Sequence, residues 1–116
     1  MKKIAILALL SVSACTVSTH SGQLEMDDKS RVSVTREVHA GSTEAYTISS
    51  NGWSCQGTTK HKGLDRLVHT IPLTCTNGLT GAADIEFASS SRATQVNTAV
   101  TVKFSISNGV RGSLRV

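Results

Sequence analysis

Polar and apolar residues alternate in several segments of the chain, with the period of a β-strand that buries one face. The clearest run is Val100 to Ile106, where valine, phenylalanine and isoleucine alternate with threonine, lysine and serine. In another run, Arg36 interrupts an otherwise apolar face between Val32 and Val38. Alternation and hairpin pairing together predict strands over residues 31–38, 44–50, 53–60, 67–75, 79–88, 98–106 and 110–116, with Ser89 to Asn97 as a polar connection. We therefore expect an all-β fold, an antiparallel meander of about seven strands that forms a small barrel or sandwich.

Three Asn-Gly dipeptides lie between these segments, and Asn-Gly between alternating runs is a strong hairpin signal. At Asn51-Gly52, a two-residue loop keeps the apolar residues of both strands on one face, so we expect a type I′ turn there. Thr76 to Gly78 and Ser107 to Gly109 need three-residue loops for the same reason, with Gly109 in the left-handed position of a G1 bulge. These registers pair Ile48 with Cys55, Ile71 with Ala83, and Val102 with Leu114.

The first fifteen residues have the organisation of an export signal. Met1-Lys2-Lys3 is positively charged, and the apolar run from Ile4 to Leu10 is too short to span a bilayer. Val12-Ser13-Ala14-Cys15 then resembles the lipobox of bacterial lipoproteins. The resemblance covers Met1 to Cys15. It implies removal of residues 1–14 as a signal peptide, a diacylglycerol on the Cys15 thiol, and an acyl chain such as palmitate on its new amine.

Such a lipid anchor predicts a location in the cell envelope, because two or three acyl chains hold a protein stably on a membrane. Thr16 follows Cys15, whereas an aspartate there retains lipoproteins of enteric-type bacteria at the inner membrane. We therefore expect the outer membrane, facing the periplasm or the surface. Residues 15–23, mostly polar, are predicted to be the lipidated cysteine and a flexible tether, and residues 24–116 the β-domain. The alternative is an ordinary signal peptide with an incidental cysteine.

The charge of the chain gives little indication of a nucleic-acid partner. Removing Lys2 and Lys3 with the signal peptide lowers the formal charge from +4 to +2. The densest basic spot, Lys60-His61-Lys62, is short and lacks the aromatic residues typical of nucleic-acid surfaces. The predicted partners are therefore the membrane, through the lipid anchor, and an envelope protein.

Two cysteines, Cys55 and Cys75, remain once Cys15 is lipidated. A disulfide is the default in an exported protein, and a hairpin around residues 63–66 places the two cysteines opposite each other. The same register sets Thr59 against Ile71. Pro72 then points outward and removes a hydrogen-bond donor, so we expect a bulge or an edge there. A redox-active pair and a metal site are the alternatives, but the spacing with His61 and His69 is unusual for zinc.

No catalytic residue, metal ligand or cofactor site is predicted. His61 and His69 could meet across the hairpin and bind a metal, but exposed histidines near a turn are more often incidental. Asp84 and Glu86 are expected on the outer face of one strand, and Ser89-Ser90-Ser91 lacks the Gly-x-Ser-x-Gly context of a nucleophile. The aromatic residues are assigned to the core by their parity: Tyr46, Trp53, Phe87 and Phe104.

A second resemblance covers about thirty residues. The segments Trp53 to Gly57 and Ile71 to Gly81 are similar to a pattern in small uncharacterised envelope proteins, and turn and disulfide positions dominate it. It implies a fold more than a function. The function expected is non-enzymatic, structural or in protein interaction. The alternative is an inhibitor or ligand-binding module like the small β-barrel lipoproteins that block lysozyme, although no loop here matches their motif.

Overall fold

Eight antiparallel strands form one sheet in the computed structural model, which describes residues 16–40, 43–60, 67–87 and 99–116. Each strand pairs with its neighbours in sequence, and the sheet curls until β1 approaches β8, so that it is nearly closed into a barrel. The strands are β1 (Thr16–Glu25), β2 (Arg31–His39), β3 (Thr43–Ser50), β4 (Trp53–Lys60), β5 (Val68–Cys75), β6 (Thr80–Glu86), β7 (Thr101–Ile106) and β8 (Arg111–Arg115). The predicted all-β antiparallel meander is confirmed, and its form is a barrel.

The strand that the sequence analysis did not expect is β1. It occupies most of the segment predicted to be a flexible tether, residues 15–23, and from Ser18 to Glu25 it pairs residue by residue with β2. The tether prediction is therefore wrong for residues 16–23. It relied on the scarcity of apolar side chains, whereas a strand can be held by backbone pairing that most side chains permit. That pairing also covers an edge of β2 that would otherwise be open.

The connections make the two ends of the barrel different. At one end, which we call the turn end, short turns join the strands, at residues 26–30, 51–52, 76–79 and 107–110. At the other end, which we call the loop end, β2, β4 and β6 end and β3, β5 and β7 begin. Thr16, paired with His39, and Val116, bonded to Val100 through both backbone groups, also lie at the loop end.

The hairpin at Asn51-Gly52 has the predicted register, with Ile48 opposite Cys55 and Ser50 opposite Trp53. The predicted type I′ turn is wrong, because that turn needs a positive φ at both central residues. Gly52 has φ 86°, whereas Asn51 is not among the described residues with positive φ. A positive φ at the second central residue alone is the pattern of a type II turn.

The other two hairpins also have the predicted registers. Ile71 lies opposite Ala83, and Val102 opposite Leu114. Gly109 has φ 95° and donates its backbone N–H to Ile106 O, as expected for the left-handed residue of a bulged loop. At the remaining turn both Asn77 and Gly78 have positive φ.

Strands β4 and β5 are paired next to the turn end. Cys55 lies opposite Cys75 and Gln56 opposite Thr74, as predicted, and the recorded pairing stops there. Pro72, which has no N–H to donate, is exposed as expected. A Cβ atom at Gly57 would lie 2.8 Å from Pro72 O, so glycine allows this close approach. Further on, the Thr59 hydroxyl lies 2.9 Å from His69 Nδ1, a diagonal contact between neighbouring strands, and the predicted pairing of Thr59 with Ile71 stays a prediction.

Alternate residues of the strands fill the interior, as the parity argument predicted. Of the four aromatic residues, Tyr46, Phe87 and Phe104 are buried, and Trp53 is partly buried against the same core. The buried apolar residues are Val32, Val34, Val38, Tyr46, Ile48, Cys55, Ile71, Leu73, Ala83, Ile85, Phe87, Val100, Val102, Phe104, Ile106 and Val116.

The barrel closes by side-chain packing at the junction of β1 and β8, which have no backbone pairing within the described strands. Leu24 of β1 lies over Gly112 of β8, where an added Cβ would be 2.5 Å from Leu24 Cδ2 and 2.8 Å from Phe104 Cζ. Glycine at position 112 thus leaves room for Leu24. Leu114 of β8 lies against Gly22 of β1, where an added Cβ would be 3.5 Å from Leu114 Cδ1, an ordinary contact distance.

Candidate functional site

The polar feature of the described interior is a cluster of three residues on β2 and β3. Arg36 shares the inward face of β2 with Val34 and Val38, and its exposure is 0%. The sequence analysis treated Arg36 as a break in the apolar pattern, whereas the structure places it in the core. A guanidinium is always charged in proteins, so its burial requires partners.

Glu44 supplies the main partner. Arg36 lies opposite Tyr46 in the pairing of β2 with β3, and Glu44 is the neighbouring inward residue of β3. The exposure of Glu44 is 3%. Arg36 Nε donates to Glu44 Oε1 at 2.9 Å, and Arg36 Nη2 donates to Oε2 at 3.4 Å. Both oxygens of the carboxylate therefore accept from one planar fork, which is the strongest arrangement of this kind of pair.

Tyr46 completes the cluster, which we call the Arg36 cluster (Arg36, Glu44 and Tyr46). Its hydroxyl donates to Glu44 Oε1 at 2.6 Å. Burial, and next the negative charge of Glu44, raise the pKa of Tyr46 well above its usual range. The phenol therefore stays protonated at any ordinary pH and acts as a hydrogen-bond donor, not as a base.

Arg36 also connects the cluster to the far end of the chain. Its Nη1 donates to the carbonyl oxygen of Val116 at 3.4 Å, across eighty positions of sequence. Val116 and Val100 exchange both backbone hydrogen bonds. The Arg36 side chain thus links β3 to Val116, which follows β8. The link spans the junction where β1 and β8 meet.

Histidines lie near the loop end, but on separate strands. His20 of β1 faces Arg36 in the register, is half-buried, and has Nε2 3.2 Å from Ser18 Oγ. His39 Nε2 is 3.3 Å from Glu37 Oε1. His69 of β5 has its ring edge-on to Phe87, with centroids 5.0 Å apart.

Of the possible metal pair His61 and His69, only His69 is among the described residues. His69 is engaged by Thr59 and Phe87. Across the part of the chain that the structure describes, no group of three or more potential ligands could hold a metal ion.

The disulfide between Cys55 and Cys75 is present as predicted. It closes a separation of 20 residues between β4 and β5, and Cys55 is fully buried. Two hydrogen bonds continue this crosslink at the turn end: Thr76 N–H donates to Ser54 O at 2.9 Å, and Ser54 N–H to Thr76 Oγ1 at 3.0 Å. Cys15, the predicted lipidation site, lies outside the described residues, as does the predicted signal peptide, residues 1–14.

The outer wall has an open hollow over β6, β7 and β8. Asp84, Lys103 and Arg111 are the charged residues that border it. Asp84 accepts from the Thr70 hydroxyl at 2.7 Å, and Glu86 pairs with Lys103 at 2.8 Å. The expectation that Asp84 and Glu86 lie on the outer face is confirmed.

Comparison of the chain with known protein families, curated proteins and solved structures found no match. Among the described residues there is no helix with the length and hydropathy to cross a membrane.

The sequence analysis missed the Arg36 cluster, although a signal was present. The inward face of β2 and β3 is otherwise mostly apolar, with Arg36 as the exception on β2 and Glu44 two residues before Tyr46 on β3. The two charges are opposite and lie on strands that a short connection joins. A rule that a charge on an inward face must have a partner would have linked them.

Proposed function

We propose that the chain is the precursor of a bacterial envelope lipoprotein with a non-enzymatic role, structural or in protein interaction. The observation that carries this proposal is the run Val12-Ser13-Ala14-Cys15 behind a positive and apolar leader. Cleavage before Cys15 and acylation of that residue place the barrel on a membrane, with Thr16 after the cysteine favouring the outer one.

Two features of the barrel support this proposal. A disulfide between Cys55 and Cys75 suits an oxidising compartment such as the periplasm. The charges of the Arg36 cluster satisfy each other and bind the strands together. This is the behaviour of a rigid scaffold that presents its outer surface.

Acyl labelling tests the anchor. Wild-type protein and the variant Cys15→Ser are expressed with an alkyne fatty acid and analysed after conjugation to a dye. Label is expected on the wild type and absent from Cys15→Ser. The matched control is the pair Cys55→Ser and Cys75→Ser, which keeps Cys15 and should keep its label. Unchanged labelling of Cys15→Ser would refute the lipoprotein proposal.

Crosslinking tests the interaction role. A photocrosslinking residue replaces exposed Asn51 at the turn end, or exposed Ser105 on the wall, in the native envelope. A discrete adduct that depends on the position of the crosslinker supports a specific protein partner. Monomer alone from both positions and from further exposed sites would count against an interaction role.

A second candidate, an inhibitor or ligand-binding barrel, rests on the strand number alone: eight strands nearly close around the interior, and barrels of this size are either filled by side chains or just hold a small ligand. Native mass spectrometry of protein purified from the envelope, together with a lysozyme inhibition assay, separates the two. A retained small molecule or an inhibited lysozyme would favour this candidate over the first.

A further inference from the structure

An asparagine that precedes glycine can lose its side-chain amide without an enzyme. The glycine backbone nitrogen loses its proton and attacks the asparagine Cγ, and the side-chain nitrogen takes up a proton and leaves as ammonia, so that a cyclic succinimide forms. Water then opens the ring at either carbonyl. The product is an aspartate or an isoaspartate, in which the main chain runs through Cβ and Cγ. Glycine favours the attack because it has no Cβ to obstruct it.

Three such dipeptides lie in exposed turns at the turn end of the barrel: Asn51-Gly52, Asn77-Gly78 and Asn108-Gly109. Their local sequences are alike, since a serine or threonine precedes each asparagine and an apolar residue follows each glycine. In the folded protein their surroundings differ. Ring closure brings the glycine nitrogen onto Cγ, and it is therefore opposed by any hydrogen bond that holds the side-chain amide or the glycine N–H elsewhere.

Asn108 is held at both reacting groups. Its side-chain Oδ1 accepts from Val110 N–H at 3.1 Å, as asparagine does in many turns. The attacking group, Gly109 N–H, donates to Ile106 O at 2.9 Å. Both hydrogen bonds would have to break before the succinimide could form.

Asn77 is held at its side chain. Its Nδ2 donates to Gly52 O of the neighbouring turn. Its own turn is closed by Leu79 N–H, which donates to Thr76 O at 3.1 Å. The Asn77 side chain must therefore leave the neighbouring turn before it can react.

Asn51 has neither restraint. Among the described residues, none is hydrogen-bonded to the Asn51 side chain or to the peptide that joins Asn51 to Gly52. The flanking residues Ser50 and Trp53 are paired in the sheet, so the rotation that the attack needs is confined to the two turn residues. Both are exposed, and water can reach the succinimide.

We propose that Asn51 is a site of spontaneous deamidation in the folded protein and that it reacts ahead of Asn77 and Asn108. The product places a carboxylate in a turn that was uncharged. An isoaspartate also lengthens the main chain directly before Gly52 and displaces the carbonyl that accepts from Asn77. Reaction at Asn51 therefore releases Asn77 for the same reaction. This proposal does not depend on acylation of Cys15.

Site-resolved mass spectrometry tests the order of reaction. The purified protein, folded and with its disulfide intact, is kept at mildly alkaline pH in water enriched in heavy oxygen, and a second sample also contains urea and dithiothreitol. Peptide mapping follows the loss of ammonia and the uptake of heavy oxygen at each asparagine. The three sites should react at similar rates in the unfolded sample. In the folded sample Asn51 should react several-fold faster than Asn108, with Asn77 following Asn51.

Two outcomes would overturn the proposal: equal rates at Asn51 and Asn108 in the folded sample, or an Asn51 that stays intact when folded and reacts when unfolded. Asn51→Gln is the matched variant, because it keeps an exposed amide but closes a ring far more slowly, and position 51 needs no positive φ. It should keep the wild-type midpoint of urea denaturation, lose the modification at position 51 and delay that at Asn77. Unchanged modification of Asn77 in this variant would overturn the coupling between the two turns.

Discussion

The turn end and the loop end of the barrel are held together by different means. At the turn end, the Cys55–Cys75 disulfide and short turns connect strands that are neighbours in sequence. At the loop end, the Arg36 cluster joins β2 and β3 to Val116 across the interior. One end therefore depends on local turns and a covalent bond, and the other on buried charges that only the complete barrel brings together.

Because of this difference, the stability of the two ends should respond to different conditions. A disulfide responds to the redox state, whereas a buried hydrogen-bonded pair responds to loss of a partner and to protonation. Variants of the two ends should therefore differ in both the size and the pH dependence of their effects.

The largest effect is expected from Glu44→Leu. It leaves the Arg36 guanidinium buried without its carboxylate, and removing one partner of a buried pair costs about 3–5 kcal/mol of unfolding free energy. Urea denaturation measures the change. Arg36→Met with Glu44→Leu and Tyr46→Phe, which removes all the buried polar groups, should recover most of the loss. A change well below 1 kcal/mol in the single variant would mean that the pair is not desolvated as the structure indicates.

The next effect should come from the turn end. Replacing Cys55 and Cys75 with alanine removes a crosslink over 20 residues, and loops of this size contribute about 3 kcal/mol in the chain-entropy model. The midpoint of urea denaturation should fall in this variant. Dithiothreitol should lower the midpoint of the wild type by a similar amount and leave the midpoint of the variant unchanged. Sensitivity of the variant to dithiothreitol would point to another disulfide.

The pH dependence should come from the loop end. Tyr46 is the single tyrosine, and its pKa is raised above the ordinary 10.0 in the folded state. The contribution of Tyr46 to the free energy of unfolding is complete below pH 10.0. This contribution is lost as pH rises above that value, because the unfolded chain then releases a proton that the folded chain keeps. Stability should fall by up to about 1.4 kcal/mol per pH unit in this range.

Two measurements check this pH effect. Denaturation of Tyr46→Phe should show a shallower decline above pH 10.0 than the wild type. Absorbance at the phenolate band should stay flat in the folded protein and rise only with unfolding. A phenolate signal that appears at pH 10.0 in folded protein would contradict the buried hydrogen bond to Glu44.

The smallest effect is expected on the outer wall. Lys103 Nζ lies 2.8 Å from Glu86 Oε2, but the side chains are 55% and 37% exposed, and water and salt screen such a pair. Glu86→Gln should leave the midpoint of urea denaturation unchanged within experimental error. If Glu86→Gln lost as much unfolding free energy as Glu44→Leu, buried and exposed charge pairs would not differ as the comparison of the two regions requires.

Much of the fold could be predicted because period-2 alternation and Asn-Gly turns are local signals. The registers at Asn51-Gly52, Thr76 to Gly78 and Ser107 to Gly109 followed from them. The turn type at Asn51 did not, since the sign of a single φ depends on how the strands twist around it. Strand β1 was not predicted for a related reason. Backbone pairing with β2, and not an alternating side-chain pattern, makes this segment a strand.

The candidate site could be predicted only in part. The disulfide followed from the register. Arg36 was interpreted as a break in one run and Tyr46 as an aromatic core residue in another, and Glu44 was not singled out, because pairing between charges depends on which faces meet across two strands.

The sequence by itself determined the all-β meander, most of its registers and the cysteine pair, because these depend on patterns within short segments. Only the tertiary structure decided that the sheet curls into a barrel, that residues 16–23 complete it, and that Arg36 lies inside. Those outcomes depend on contacts between residues far apart in the chain.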